Sequence, residues 1–407
     1  MLKAIKFFII KITYILLKKI VSLITIRNKQ IIIMGLRAPI TKWNNSSKDY
    51  FMHNTKYMFL KLSKQNTDYK FVYLCDNENM QAELLKRGFK NIFTRKSLKG
   101  IYYALRAKYW LYDDSKIDII NPLLSGGAIC INFWHGTSWK RIGFTANENH
   151  MKRNKIFQKI EKLLYDKDSY MIANNDYEVN IYTNGYLLDI EHTPILCSPR
   201  LDVLFNDIPD STIFMEEDFS KIKYFKSCGK KIFIYMPTFR DTGKDISGWI
   251  KSNKLRTFLK NNNSVLICKL HFADKNAISL EQTDEIYKMN GISDMYPILK
   301  YTDALITDYS SIALDYLLVN KPIIYFPIDL EEYQEKCRGF FVPYDEFVAG
   351  DKVYSEDELI NSMQKIINEE DNYKECRKEL RDKMFKYQDG KNCERFFNFI
   401  KELNNKR

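Results

Sequence analysis

Apolar positions along this chain change period near residue 30. Before it, Leu2, Ile5, Ile9, Ile12, Leu16, Ile20 and Leu23 recur at spacings of three and four with lysines largely opposite, which predicts an amphipathic helix over 1–28. After it, short apolar runs alternate with helical segments, as in parallel sheets covered on both faces. Strands are predicted at 31–34, 70–74, 109–112 and 129–133, with helices near 49–64, 79–88 and 97–107. A second series of strands is predicted at 231–235, 264–268, 304–306 and 322–326. Pro199, Pro209 and a charged segment separate the series, so two α/β domains are expected: 29–205 and 206–391, with a closing helix over 392–407 that returns to the first. The common ligand site of such a pair is a cleft lined by strand ends of both halves.

Charge changes the picture through its location. The net charge is +12, yet residues 1–48 hold ten Lys or Arg and no acid, leaving 53 basic and 51 acidic residues beyond them. A nearly neutral body disfavours a nucleic-acid face. The basic leader reads as an interfacial helix on an anionic membrane surface; a helix packed on the body, a signal peptide and a membrane span are the alternatives. Lys11, Lys18 and Lys19 interrupt the uninterrupted apolar stretch that a span requires. The eight cysteines are scattered, with no Cys-x-x-Cys pair, and read as reduced core residues of a cytosolic protein.

Candidate chemistry gathers at strand ends. Thr307-Asp308-Tyr309-Ser310-Ser311 joins a predicted strand to a predicted helix, so two hydroxyls and first-turn N–H groups converge where a phosphate would sit; a plain N-cap is the bland alternative. Of five histidines, two end strands, one in each half: His135, followed by Gly136-Thr137, and His271, preceded by Lys269-Leu270. An imidazole at a cleft mouth suits general-base work. Pro237-Thr238-Phe239-Arg240 and Ser198-Pro199-Arg200 add arginines able to fork onto phosphate. Asp308 and Asp315 are carboxylates without metal-ligand spacing, so no cofactor is implied and a divalent metal stays open. No glycine-rich dinucleotide fingerprint, phosphate loop or nucleophile elbow occurs.

In order along residues 130–395, these segments resemble the CDP-glycerol glycerophosphotransferase family of teichoic acid and capsule polymer synthesis. The matching residues are Trp134-His135-Gly136-Thr137 with Lys140, Ile142 and Gly143; Pro199-Arg200 with Asp202; Pro237-Thr238-Phe239-Arg240; Lys269-Leu270-His271; Ile306-Thr307-Asp308-Tyr309-Ser310-Ser311; Asp315-Tyr316; Lys321-Pro322; Asp329 to Tyr333; Arg338-Gly339-Phe340; and Asp389-Gly390-Lys391. Phe272 departs from the proline that the family carries there. The resemblance implies a GT-B-like architecture of two facing Rossmann-like domains. It implies transfer of glycerol phosphate or ribitol phosphate from a CDP-polyol to a hydroxyl of a polyprenyl-linked acceptor at the cytoplasmic face of the membrane, releasing CMP. A GT-B glycosyltransferase using a nucleotide sugar is the alternative. In this mapping His135 is the acceptor-side base and His271 assists CMP departure. Gly136, Thr137, Arg200, Thr238, Arg240, Lys269, Thr307, Asp308, Ser310, Ser311 and Asp315 bind substrate, with Ser310 and Ser311 on the diphosphate.

Overall fold

The computed structural model describes residues 2–37, 50–146, 155–240, 246, 248–270, 280–336 and 339–405. Among the described residues, twelve strands form two parallel six-stranded sheets. The first holds β1 (Asn28–Gly35), β2 (Lys70–Cys75), β3 (Ile92–Thr94), β4 (Ala107–Tyr112), β5 (Ile129–Asn132) and β6 (Tyr170–Met171). The second holds β7 (Lys231–Tyr235), β8 (Ser264–Cys268), β9 (Ile286–Lys288), β10 (Ala304–Thr307), β11 (Ile323–Tyr325) and β12 (Asp351–Lys352). Their spatial orders are β3-β2-β1-β4-β5-β6 and β12-β11-β10-β7-β8-β9. Read outward from the first strand of each, these are one doubly wound topology built twice. The GT-B-like expectation therefore holds. The four strands that the apolar pattern misses, β3, β6, β9 and β12, are the edges of both sheets, where two or three residues carry too little pattern to register.

Strand alternation fuses the lobes. Ile32 and Met34 of β1, and Ile232 and Ile234 of β7, belong to one apolar cluster that runs through both sheets. Ile31 and Ile33 face a separate cluster on the far side of the first sheet, as Phe233 and Tyr235 do on the second. Period-two strands buried on both faces require this split. The last helix, Asn392–Asn405, lays Phe396 against Phe133 and Phe397 against Phe71, both in the first lobe. Asp202 caps it, accepting N–H from Asn392 at 2.8 Å and Cys393 at 3.0 Å.

Helix α1 (Leu2–Ile24) lies on the first lobe. Its inner side is tied by Tyr14 and Lys18, which reach Asp166 at 2.9 and 2.6 Å, and it runs so close over Gly126 that a Cβ there would strike the Lys18 backbone oxygen. Its outer side leaves Ile9, Ile10, Leu16, Ile20 and Leu23 exposed. Among the described residues no helix is long and apolar enough to cross a membrane. The seven described cysteines are free thiols, and the core expectation holds for five of them but not for Cys228 and Cys376, which are exposed.

Candidate active site

The two switch points, where strand order reverses, lie between β1 and β4 and between β7 and β10. The chains that follow β5 and β10 meet across the lobe boundary, at Gly136 and Ser311. In the second lobe β10 ends at Thr307, and a short helix, Ile312–Tyr316, follows Ser310 and Ser311. Ser311 occupies the N-cap position but makes no side-chain cap bond, so its hydroxyl is not consumed by the helix. The N-cap alternative therefore fails for this side chain, and Ser310 and Ser311 are both partly exposed.

The first lobe meets this turn directly. Gly136 is so close to it that a Cβ built there would lie 2.6 Å from Ser311 Oγ. His135, one residue earlier, is 42% exposed, and its Nδ1 stands 3.4 Å from Asp114 Oδ1 at the end of β4. Its ring packs on Trp134 with centroids 4.2 Å apart. The loop owes its shape to fixed partners: Trp134 holds a left-handed φ of 58°, and Asn54 Nδ2 donates to its carbonyl at 2.8 Å. Glu178 accepts Ser138 N–H at 2.6 Å, and burial raises that carboxyl to about 7.

Six of the remaining candidates fall into two networks. Thr137, Arg200 and Asp315 are fully buried together. Thr137 Oγ1 and Tyr296 OH donate to Asp315, while Arg200 Nη2 reaches it at 3.0 Å and Arg200 Nε reaches Tyr296 OH at 2.8 Å. This network ties the His135 loop to the helix after Ser311 from behind the cleft. In the second network Thr238 N–H and Arg240 Nη2 donate to Asp308 at 2.9 and 2.8 Å, and Arg240 Nε donates to Asp329 at 2.8 Å. Two carboxylates thus compensate Arg240, which is itself buried. Thr307 Oγ1 donates to Met236 O at 2.6 Å. Lys269 donates to the Gly291 carbonyl, and burial lowers its amine to about 8. His271, Phe272 and Arg338 lie outside the described residues. Among the described residues no group of three or more His, Cys, Asp or Glu could hold a metal ion.

A two-stranded clasp completes the interlobe contact. Phe341 N–H donates to Trp139 O at 3.0 Å, and Lys140 Nζ donates to Tyr333 OH at 3.0 Å. Gly143 supports the clasp's first half: its φ is 57°, and a Cβ there would collide with Gly185 O.

Sequence reasoning missed Asp114 and His53. Asp114 follows a predicted strand by two residues, the position where α/β folds carry ligand-facing groups, so a signal existed. His53 begins α2 (His53–Leu62) with a φ of 62°, and its ring centroid is 6.5 Å from that of His135. Its Nδ1 is buried without a hydrogen-bond partner, and Tyr50 OH is 3.5 Å from its Nε2. Burial, then the His135 ring, lowers its pKa from 6.5 to about 3. A depressed imidazole contributes stability that is present above its unfolded pKa and lost as pH falls through 6.5 toward 3. His53→Asn, which tolerates the positive φ, should therefore flatten the loss of melting temperature between pH 7 and 5; an unchanged slope in a thermal denaturation series would contradict this.

Fold and interlobe contact define a two-lobed GT-B-like protein with a paired-serine turn in one lobe beside an imidazole-bearing loop of the other. The profile of the CDP-Glycerol:Poly(glycerophosphate) glycerophosphotransferase family matches residues 34–402, and the chain belongs to that family. It is 28% identical to the Staphylococcus aureus teichoic acid ribitol-phosphate polymerase TarL over 363 residues, which is 87% of this chain and 60% of TarL. It is also 28% identical to a Bacillus spizizenii teichoic acid poly(glycerol phosphate) polymerase over 321 residues, covering 76% of this chain and 78% of that one. The solved wall teichoic acid polymerase TagF superposes with a TM-score of 0.70 at 20% identity, covering 99% of this chain and 98% of that one; a variant of it has been soaked with CDPG.

Proposed function

We propose that this protein transfers glycerol phosphate or ribitol phosphate from a CDP-polyol to a hydroxyl of a membrane lipid-linked acceptor, releasing CMP. The observation that carries the reading is the contact of the His135 loop with the Ser310-Ser311 turn across the lobe boundary. The donor's diphosphate lies on the Ser310 and Ser311 hydroxyls, which face the charge that builds on the phosphoryl oxygens. Asp114 orients His135 through Nδ1, so Nε2 takes the proton of the acceptor hydroxyl. The acceptor oxygen then bonds to the polyol-bearing phosphorus. The bond from that phosphorus to the bridging oxygen breaks, and CMP leaves with the electron pair. Residues 29–205 serve the acceptor and 206–391 the donor.

The reading also places the protein peripherally on the cytoplasmic face of the cell membrane. Its support is the exposed apolar side of α1 and the ten basic residues of 1–48, a stretch that contains no acid. Incubation with CDP-glycerol or CDP-ribitol and a lipid-linked acceptor should release CMP. No release from either donor, with thermal protection by a UDP- or GDP-sugar instead, would replace this donor class with nucleotide sugars.

A further inference from the structure

His135 and Asp114 face each other at 3.4 Å with side chains 42% and 60% exposed, so burial does not fix the pair. Their spacing comes from the backbone beneath, which two buried asparagines hold. Asn54, in the first turn of α2, donates Nδ2 to Asp113 Oδ1 at 2.9 Å and to the Trp134 carbonyl at 2.8 Å, and it accepts Arg200 N–H at 3.1 Å. Asn132, the last residue of β5, accepts Trp134 N–H at 2.9 Å and donates to the Asp114 carbonyl at 3.0 Å. Each amide thus spans the same two segments, Asp113-Asp114 after β4 and Trp134 after β5. Together they take both backbone polar groups of Trp134. Each side chain uses donor and acceptor at once, which neither a carboxylate nor an aliphatic of that shape can do.

The clamp is anchored below. Asp113, fully buried, also accepts N–H from Asn54 at 2.9 Å and from Thr55 at 3.1 Å, and the Thr55 hydroxyl at 2.6 Å. It satisfies the first turn of α2, for which Met52 makes no side-chain cap bond. The clamp also carries strain: Trp134 holds its φ of 58°, which a bulky residue keeps only where its surroundings over-determine it.

We propose that Asn54 and Asn132 are positioning residues that set the spacing of His135 and Asp114, and through it the aim of the His135 ring at the acceptor hydroxyl. The inference rests on the phosphotransfer reading above and adds the residues that make an exposed pair act as a unit.

Asn54→Ala and Asn132→Ala, each in the full chain, test it. Each should lower kcat for CMP release about tenfold to a hundredfold, as a displacement of about 1 Å does, while KM for the CDP-polyol stays within about twofold. Backbone hydrogen exchange over 134–138 should quicken about tenfold in both, because the loop loses a tie that opposes local opening. Thr55→Val is the control: it removes a bond to the same Asp113 carboxylate but none to Trp134, so kcat and exchange over 134–138 should match the wild type. If an alanine variant fails to fold, Asn132→Ser carries the same expectation. An equal fall of kcat in Thr55→Val, or wild-type kcat and exchange in the asparagine variants, overturns the proposal. If those variants exchange faster but no CDP-polyol yields CMP with the wild type, the phosphotransfer reading fails and the hold on His135 and Asp114 stands.

Discussion

His135→Ala should lower the rate of CMP release by roughly a hundredfold to ten-thousandfold, the span over which a positioned general base acts, while CDP-polyol binding persists. The separation follows from placement. His135 belongs to the first lobe and is 42% exposed, whereas the proposed diphosphate seat at Ser310 and Ser311 belongs to the second. Removing the ring takes away the proton acceptor without touching the diphosphate contacts. It should also leave the fold intact, since an exposed side chain outside the buried networks changes stability by only about 0.5 kcal/mol. CMP release under saturating donor, with donor binding measured separately by thermal shift, checks both halves. Near-wild-type turnover would remove the imidazole from the base role. Asp114→Asn should give a smaller loss, because that carboxylate acts only through the ring.

Arg200→Leu should produce the opposite pattern, a large loss of stability. Arg200 and Asp315 are both fully buried, and truncating one partner of such a pair costs about 3–5 kcal/mol because the other charge is stranded. Thr137 and Tyr296 would still donate to Asp315, so part of its need for partners would remain met. The lobes would nevertheless lose the bridge that holds the His135 loop against the Ser311 turn. Arg200→Lys should rescue little, since an ammonium cannot reproduce the fork that meets Asp315 and Tyr296 together. Urea unfolding monitors the loss. An unfolding midpoint equal to that of the wild type would show that the pair does not hold the lobes.

These two predictions divide the ordered motifs into different kinds of residue. Trp134-His135-Gly136 and Ser310-Ser311 line the cleft. Thr137, Arg200 and Asp315 sit behind it, Asp202 caps the last helix, and Gly339-Phe340 pairs with residues 139–141 of the facing lobe. Arginine in the loop beyond a strand reads the same in sequence whether it meets a phosphate or a carboxylate. Arg240 shows this: two carboxylates and Tyr309 OH, at 2.9 Å, surround its guanidinium fork.

The amino-acid sequence by itself determined the long central strands of both sheets, the strand–turn–helix at Ser310 and Ser311, the strand-end position of His135, and the basic amphipathic leader. Each is encoded within one short window, where side-chain period and turn chemistry act locally. Only the tertiary structure decided which polar groups are spent on each other. Thr137 meets Asp315 across 178 residues and Arg200 meets it across 115, and neither pairing leaves a local trace. It also decided that Asp114 and His53 flank His135, and that α1 divides into a docked face and a bare one. Burial and charge compensation depend on what the rest of the chain brings alongside, so they are properties of the packed molecule.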